Sequence, residues 1–165
     1  FISDSNPDPE NPYDAMMDFI DGVEPGEFVV LATGESNASA FWGELFSAAA
    51  MGRGAKGLAT DGNIRDVDKI RALNFPVFAR SHRPIDYRGR MKVDASQTSV
   101  TLGGVEISPG DLVMADEDGC VVVPAASIDT VVEFARQRAR GESTVLKELL
   151  EGSTLREVWT RHGIL

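Results

Sequence analysis

Asp61-Gly62-Asn63-Ile64-Arg65-Asp66 sets a glycine that can turn the backbone beside an adjacent Arg-Asp pair. Arginine offers a planar fork to a carboxylate or ketone oxygen, and the aspartate next to it offers hard oxygens to a divalent metal. Together they suit a 2-oxo acid. The same pattern also describes a helix-capping aspartate followed by a surface arginine, and the motif alone leaves both readings open. Upstream, Gly43-Glu44-Leu45-Phe46 opens a predicted helix. The free amides and dipole at a helix start favour an anion without any basic side chain. Glu44 would lie within a turn of that anion, or would simply complement the dipole.

Other reactive residue types are scattered. His82 is a residue type that serves as a general base but has no visible partner, and His162 sits beside the C-terminus. Ser81-His82-Arg83-Pro84-Ile85-Asp86-Tyr87-Arg88-Gly89-Arg90 is strongly basic and polar, suited to reading distal carboxylates or to lying in solvent. Asp116-Glu117-Asp118-Gly119 lacks the remaining ligands of a calcium loop and is read as a hairpin turn. Cys120, the single cysteine, falls in the apolar run Cys120-Val121-Val122-Val123 and is expected to be a buried structural thiol.

The elements that must position these residues follow from periodicity. Residues 1–12, rich in Asp, Asn, Ser and Pro, are expected to be an irregular lead-in. Met16, Met17, Phe19, Ile20 and Val23 follow helical spacing, and Phe28-Val29-Val30-Leu31-Ala32 reads as a buried strand. A helix is predicted from Trp42 or Gly43 through the alanine-rich run ending at Met51, then a strand over Ala55–Thr60 that stops at Asp61-Gly62. A helix over Val67–Leu73 and a strand over Pro76–Ala79 complete a β-α-β-α-β rhythm, which places functional loops at strand ends. Beyond Ser99, short strands alternate with turn chemistry as a β-meander, and from Ala125 the apolar spacing predicts long amphipathic helices.

With 165 residues and 42% hydrophobic content, residues 13–165 are expected to form a single α/β domain. The 16 basic and 26 acidic side chains leave a formal charge of -10, the wrong sign for tracking a phosphate backbone. Direct nucleic-acid binding is therefore not expected. One cysteine excludes an internal disulfide, and neither a membrane-spanning run nor a secretory leader is seen, so a cytoplasmic location is expected. The chain begins at Phe1, which suits a piece of a longer polypeptide or a processed product.

The ordered set Gly43-Glu44-Leu45, Arg53-Gly54, Gly57-Leu58, Asp61-Gly62-x-x-Arg65-Asp66, Pro76-Val77-Phe78-Ala79, Gly103-Gly104-Val105, Pro109-Gly110-Asp111 and Asp116-x-Asp118-Gly119-x-Val121-Val122-Val123-Pro124 resembles the RraA-like proteins and 4-hydroxy-4-methyl-2-oxoglutarate aldolases from about Tyr13 onward. The resemblance implies a β/β/α swivelling-type domain in homotrimers or homohexamers with sites at subunit interfaces. It implies a class II pyruvate aldolase using Mg2+ or Mn2+, with oxaloacetate decarboxylation as a side activity. On this analogy Asp66 ligates the metal, while Arg65 binds the pyruvoyl oxygens and steadies the enolate. Gly43 and the amides of Leu45 and Phe46 hold the substrate carboxylate, Glu44 positions the water that shuttles a proton, and Glu142 reaches a neighbour's metal through water.

The chain departs from the family pattern in two places. Lys69 stands where the aldolases have an acid, with Asp68 one position earlier, and the resemblance implies an N-terminal region before Tyr13, so that a fragment, or a fold completed by another chain, is expected. The family also includes regulators that bind and inhibit a ribonuclease by protein contact, the alternative function implied here. No glycine-rich motif after a first strand supports the methyltransferase label also attached to the family.

Overall fold

In the computed structural model, which describes residues 1–4 and 10–165, the chain forms two units. One comprises Phe1–Pro109 with Val113–Val122, and the other Gly110–Leu112 with Val123–Leu165. The first begins with β1 (Ile2–Ser3), α1 (Asp14–Asp21), β2 (Phe28–Leu31), β3 (Ala40–Trp42), α2 (Glu44–Arg53), β4 (Gly57–Ile64), α3 (Val67–Ala72) and β5 (Val77–His82). β2, α2, β4, α3 and β5 are the expected β-α-β-α-β units, and β1 and β3 are additional strands.

β4 is the central strand. β5 runs parallel along one side of it, from Leu58 opposite Val77 to Ile64 opposite His82. Two short strands share the other side: β2 pairs with Gly57–Thr60, and β3 with Asn63 and Ile64. Strands covered on both faces carry continuous apolar or small residues, and all of β4 except Asp61 is buried.

The strand expected to stop at Asp61-Gly62 instead continues to Ile64. The turn-forming residues produce a register shift against β5 between Thr60 and Asn63 rather than an end. Gly62 permits this because a Cβ there would lie 2.7 Å from Thr33 Cγ2 and 2.9 Å from Phe41 Cδ2. Trp42, expected near a helix start, is a wholly buried residue of β3. Its indole Nε1 donates to Ser47 Oγ at 2.7 Å, and that hydroxyl donates to Gly43 O at 3.0 Å. The buried polar atoms of the β3–α2 junction are thereby satisfied, which fixes how the helix leaves the sheet.

Met16 and Ile20, one turn apart on α1, pack into the core with Val29, Leu31, Phe41, Trp42, Ala50, Leu58, Ile64 and Ile70. After β5 come β6 (Met91–Lys92), β7 (Val100–Leu102), β8 (Val105–Ile107), β9 (Leu112–Asp116) and β10 (Gly119–Val123). The expected meander takes the form of two hairpins, β7 with β8 and β9 with β10. Ile2–Ser3, read as part of an irregular lead-in, pairs antiparallel with Met91–Lys92 next to Phe1, whose ring meets Phe41 and Tyr87 edge-on. Residues 5–9 of that lead-in lie outside the described residues. Cys120 is exposed rather than buried, since the β9–β10 hairpin covers neither it nor Val121.

In the second unit, α4 (Ile128–Leu150) and α5 (Leu155–His162) form the expected helical end. A Thr154/Glu157 capping box starts α5, and Val145 and Val158 are buried. Glu148 on α4 binds Arg161 at 2.6 Å and His162 at 2.9 Å on α5. No helix among the described residues is long and apolar enough to cross a membrane.

Candidate active site

Arg65 is the first residue past β4, and hydrogen bonds hold the strand end from both sides. Its N–H donates to Trp42 O, and Arg83 N donates to Ile64 O, each at 2.9 Å. Asp66 follows at φ 57°, in the left-handed region, at the start of α3. That conformation is uncommon for non-glycine residues, and aspartate is among those that adopt it most readily. The Asp66 side chain does not cap α3. Its Oδ2 instead lies 3.6 Å from Arg65 Nε and 3.4 Å from the Glu44 amide at the start of α2. The readings left open by sequence thus separate, since the Arg-Asp pair faces α2 rather than decorating a cap.

Gly43 makes the approach possible. A Cβ at this position would lie 2.8 Å from Asp66 Oδ2 and 3.0 Å from Arg65 Cγ. The first amides of a helix have no carbonyl partner within it, so Leu45 and Phe46 present N–H groups beside this corner. The Leu45 side chain is exposed, while Phe46 packs against Tyr13 and Trp42.

Two further contacts define the electrostatics. Glu44 Oε2 is 3.0 Å from Lys69 Nζ, and that hydrogen bond, followed by the Glu44 charge, raises the lysine's pKa. Lys69, the departure from the aldolase pattern, is therefore the partner of Glu44. Arg65 Nη1 lies 3.3 Å from Asp86 Oδ2 but lacks hydrogen-bond geometry, leaving a buried donor unsatisfied. Oδ2 of Asp86 is already taken by the Tyr13 hydroxyl at 2.7 Å, and Oδ1 accepts from Arg88 N at 2.9 Å. Burial, then the bond to Asp86, raises the Tyr13 pKa. Burial, reinforced by the Asp86 charge, raises that of Tyr87 far more.

The other sequence candidates go elsewhere. Asp61 accepts from Thr33 N, Thr33 Oγ1 and Glu35 N, so it ties down the loop after β2. Asp68 pairs with Arg71, while His82 ends β5 on the surface. Glu142 lies on α4 in the second unit, where it accepts from Arg138 Nε at 2.6 Å. Asp116 Oδ1 accepts from Asp118 N, as a hairpin turn requires. Within the basic segment and just before it, Arg80, Arg83 and Arg90 hold loop groups at Glu35, Asn37 and Asp86. Tyr13 was not a sequence candidate and Asp86 entered only as part of the basic segment, because nothing local links two positions 73 residues apart.

Among the described residues no three His, Cys, Asp or Glu side chains converge into a ready cage for a metal. Mg2+ needs less: it usually keeps several waters and takes one or two carboxylates plus substrate oxygens. Asp66, whose side chain is 38% exposed and carries no capping bond, fits such a sparse site.

Known proteins share this framework. The RraA-like family, described as Aldolase/RraA, matches residues 9–122. A Halalkalibacterium halodurans protein with the provisional name 4-hydroxy-4-methyl-2-oxoglutarate aldolase is 32% identical over 116 residues, 70% of this chain and 55% of its own length. A solved structure from Pseudomonas syringae pv. tomato superposes with TM-score 0.82 at 32% identity, covering 85% of this chain and 70% of that one. Streptomyces coelicolor RraAS2, described as an unusual member of the RNase ES inhibitor RraA protein family, gives TM-score 0.73 at 29% identity with the same coverage. The chain spans little more than half the length of the curated relatives it matches, or less. The matched profile and the shared α/β architecture, with its strands and C-terminal helices, place the chain in the RraA-like family.

Proposed function

We propose that the corner formed by Gly43, Arg65 and Asp66 is the pyruvate end of a lyase site that cleaves a 4-hydroxy-2-oxo acid. The observation that carries this reading is the convergence of the Arg65 guanidinium, the uncapped Asp66 carboxylate and the first amides of α2 on Gly43, where a Cβ would lie 2.8 Å from Asp66 Oδ2. A 2-oxo acid offers acceptor oxygens both to the arginine and to those amides. Its carboxylate suits the Leu45 and Phe46 amides, and its keto oxygen suits Arg65.

Cleavage removes the proton of the 4-hydroxyl, breaks the C3–C4 bond and leaves its electrons in the enolate of pyruvate, which is then protonated at C3. Arg65 places fixed positive charge where the enolate oxygen develops, an interaction strongest in the transition state. Glu44 is held by Lys69 through Oε2, which leaves Oε1 to orient the water that carries the proton. Mg2+ or Mn2+ held through Asp66 would supply Lewis-acid stabilisation of the same oxygen charge. The enolate also forms when oxaloacetate loses carbon dioxide, so that decarboxylation accompanies the aldol activity.

The test is pyruvate release coupled to lactate dehydrogenase, from 4-hydroxy-2-oxo acids and oxaloacetate, with Mg2+ and after EDTA, using the full-length protein. Metal-dependent release that Arg65→Ala reduces by about a hundredfold or more is expected. Release from none of these substrates sinks the reading.

A second reading draws on the likeness to RraAS2 and on the formal charge of -10, which suits docking to a basic partner. Under it the chain inhibits a ribonuclease by contact. Salt-sensitive capture of a ribonuclease, unaffected by Asp66→Ala, favours this reading over the lyase.

A further inference from the structure

We infer that Asp86 and Tyr13 are positioning residues for the 2-oxo acid site, holding the Arg65 guanidinium so that its free edge meets the substrate; the inference rests on Arg65 being the substrate-binding group. Asp86 is fixed along its whole length. The preceding carbonyl, Ile85 O, accepts from Ala40 N at 2.6 Å, and Asp86 itself bridges to Ala40 beside β3. The following residue, Tyr87, is 1% exposed and stacks on Phe41 with ring planes 7° apart. Both carboxylate oxygens of Asp86 are engaged, Oδ1 by Arg88 N and Oδ2 by the Tyr13 hydroxyl, and its carbonyl accepts from Arg90 Nη1 at 3.2 Å. A carboxylate so restrained is a stationary reference point.

Arg65 meets that point with its backbone already tied to Trp42 O. Its Nε faces Asp66 and its Nη1 faces Asp86, so the guanidinium lies between two carboxylates of fixed place. The contacts to the two aspartates run through Nε and Nη1, which leaves the Nη2 side of the fork as the edge for the substrate. Tyr13 has a second anchor, because its ring packs edge-on against Phe46 at 6.1 Å and Tyr87 at 5.6 Å. Its phenol remains a donor across the neutral range, since burial and the Asp86 carboxylate both oppose its ionisation. Preorganisation of this kind is how a supporting shell raises the affinity of the group it holds.

A nearby charge and a positioning group respond to Asp86→Asn with opposite signs, which makes that variant decisive. If Asp86 were only a nearby anion, removing its charge would free Arg65 and tighten the binding of an anionic ligand. If it positions Arg65, the neutral amide holds the guanidinium less firmly and binding weakens.

Oxalate, a planar mimic of the pyruvate enolate, is titrated calorimetrically in Mg2+ into the unmodified full-length protein and into Arg65→Ala, Asp86→Asn and Tyr13→Phe. Expected are abolition in Arg65→Ala, affinity about tenfold weaker in Asp86→Asn, and a smaller weakening in Tyr13→Phe, which keeps the ring contacts. In parallel, 15N relaxation of the Arg65 Nε–H should report greater mobility in the latter two. No oxalate binding by the unmodified protein, or binding that survives Arg65→Ala, overturns the assignment of Arg65 itself. Binding that needs Arg65 but is unchanged or tightened in Asp86→Asn and Tyr13→Phe overturns the positioning role alone. Should Asp86→Asn fail to fold, Tyr13→Phe decides.

Discussion

Adding one methyl group at Gly43 probes the proposed site with little other disturbance. The Gly43 backbone, at φ -161° and ψ -169°, is extended and accepts any residue, so Gly43→Ala introduces no strain of its own. Replacing glycine by alanine at a helix N-cap costs about 0.5–1 kcal/mol. The new Cβ, however, would stand 2.8 Å from Asp66 Oδ2, where ordinary contact begins near 3.4 Å, so the carboxylate must retreat by about 0.6 Å. It would also press on Arg65 Cγ and Nε, at 3.0 and 3.2 Å. Misplacing reacting groups by about 1 Å costs about a hundredfold in rate, so a loss of about ten- to a hundredfold in kcat/KM is expected. Pyruvate release measures the rate and urea unfolding the stability. Gly52→Ala is the control on the same helix, because no atom lies within 4 Å of its added Cβ. It should be neutral or stabilising by up to about 1 kcal/mol, with activity unchanged. Wild-type kcat/KM in Gly43→Ala would refute the close packing of Arg65 and Asp66 as the basis of activity.

Three other variants test separate parts of the molecule. Asp61→Ala strips three hydrogen bonds from the loop after β2 and should destabilise the fold by about 1–3 kcal/mol in urea unfolding, while activity per folded molecule stays near normal. A specific loss of activity would return Asp61 to the site. Lys69→Met removes a cation whose charge is coupled to both Glu44 and Asp66, so Mn2+ followed by electron paramagnetic resonance at low salt should bind about tenfold more tightly. Unchanged affinity would place the metal away from Asp66. Finally, the bond from His162, with help from Arg161, holds the Glu148 carboxyl below its usual range. A lowered folded-state pKa gives stability that is complete above the ordinary glutamate range and fades as pH falls through the lowered value. Acid should therefore loosen α4 from α5 by hydrogen exchange, and Glu148→Gln should remove that pH dependence.

The parts of the fold and site legible in sequence share one property, that their signal is local. Met16 and Ile20 one turn apart and the alanine run of α2 each specify an element through near neighbours. The Arg65-Asp66 pair and Gly43 were legible for the same reason, as residue types suited to an anion and a metal at an element boundary. Punctuation misled at Asp61-Gly62, where turn-forming residues made a register shift inside a central strand. There the burial of β4 between β5 and the β2 and β3 strands outweighed local preference.

Sequence by itself determined the chemistry on offer, an arginine and an aspartate at a strand end with a helix start upstream of them. Only the tertiary structure decided what each group touches. Lys69 reaches Glu44 across 25 positions, and Tyr13 reaches Asp86 across 73. Asp61 turns back 28 positions to Thr33, away from the site its neighbours form. Such pairings depend on strand order and register around β4, set by the burial of the whole apolar set at once, and no single stretch of residues encodes them.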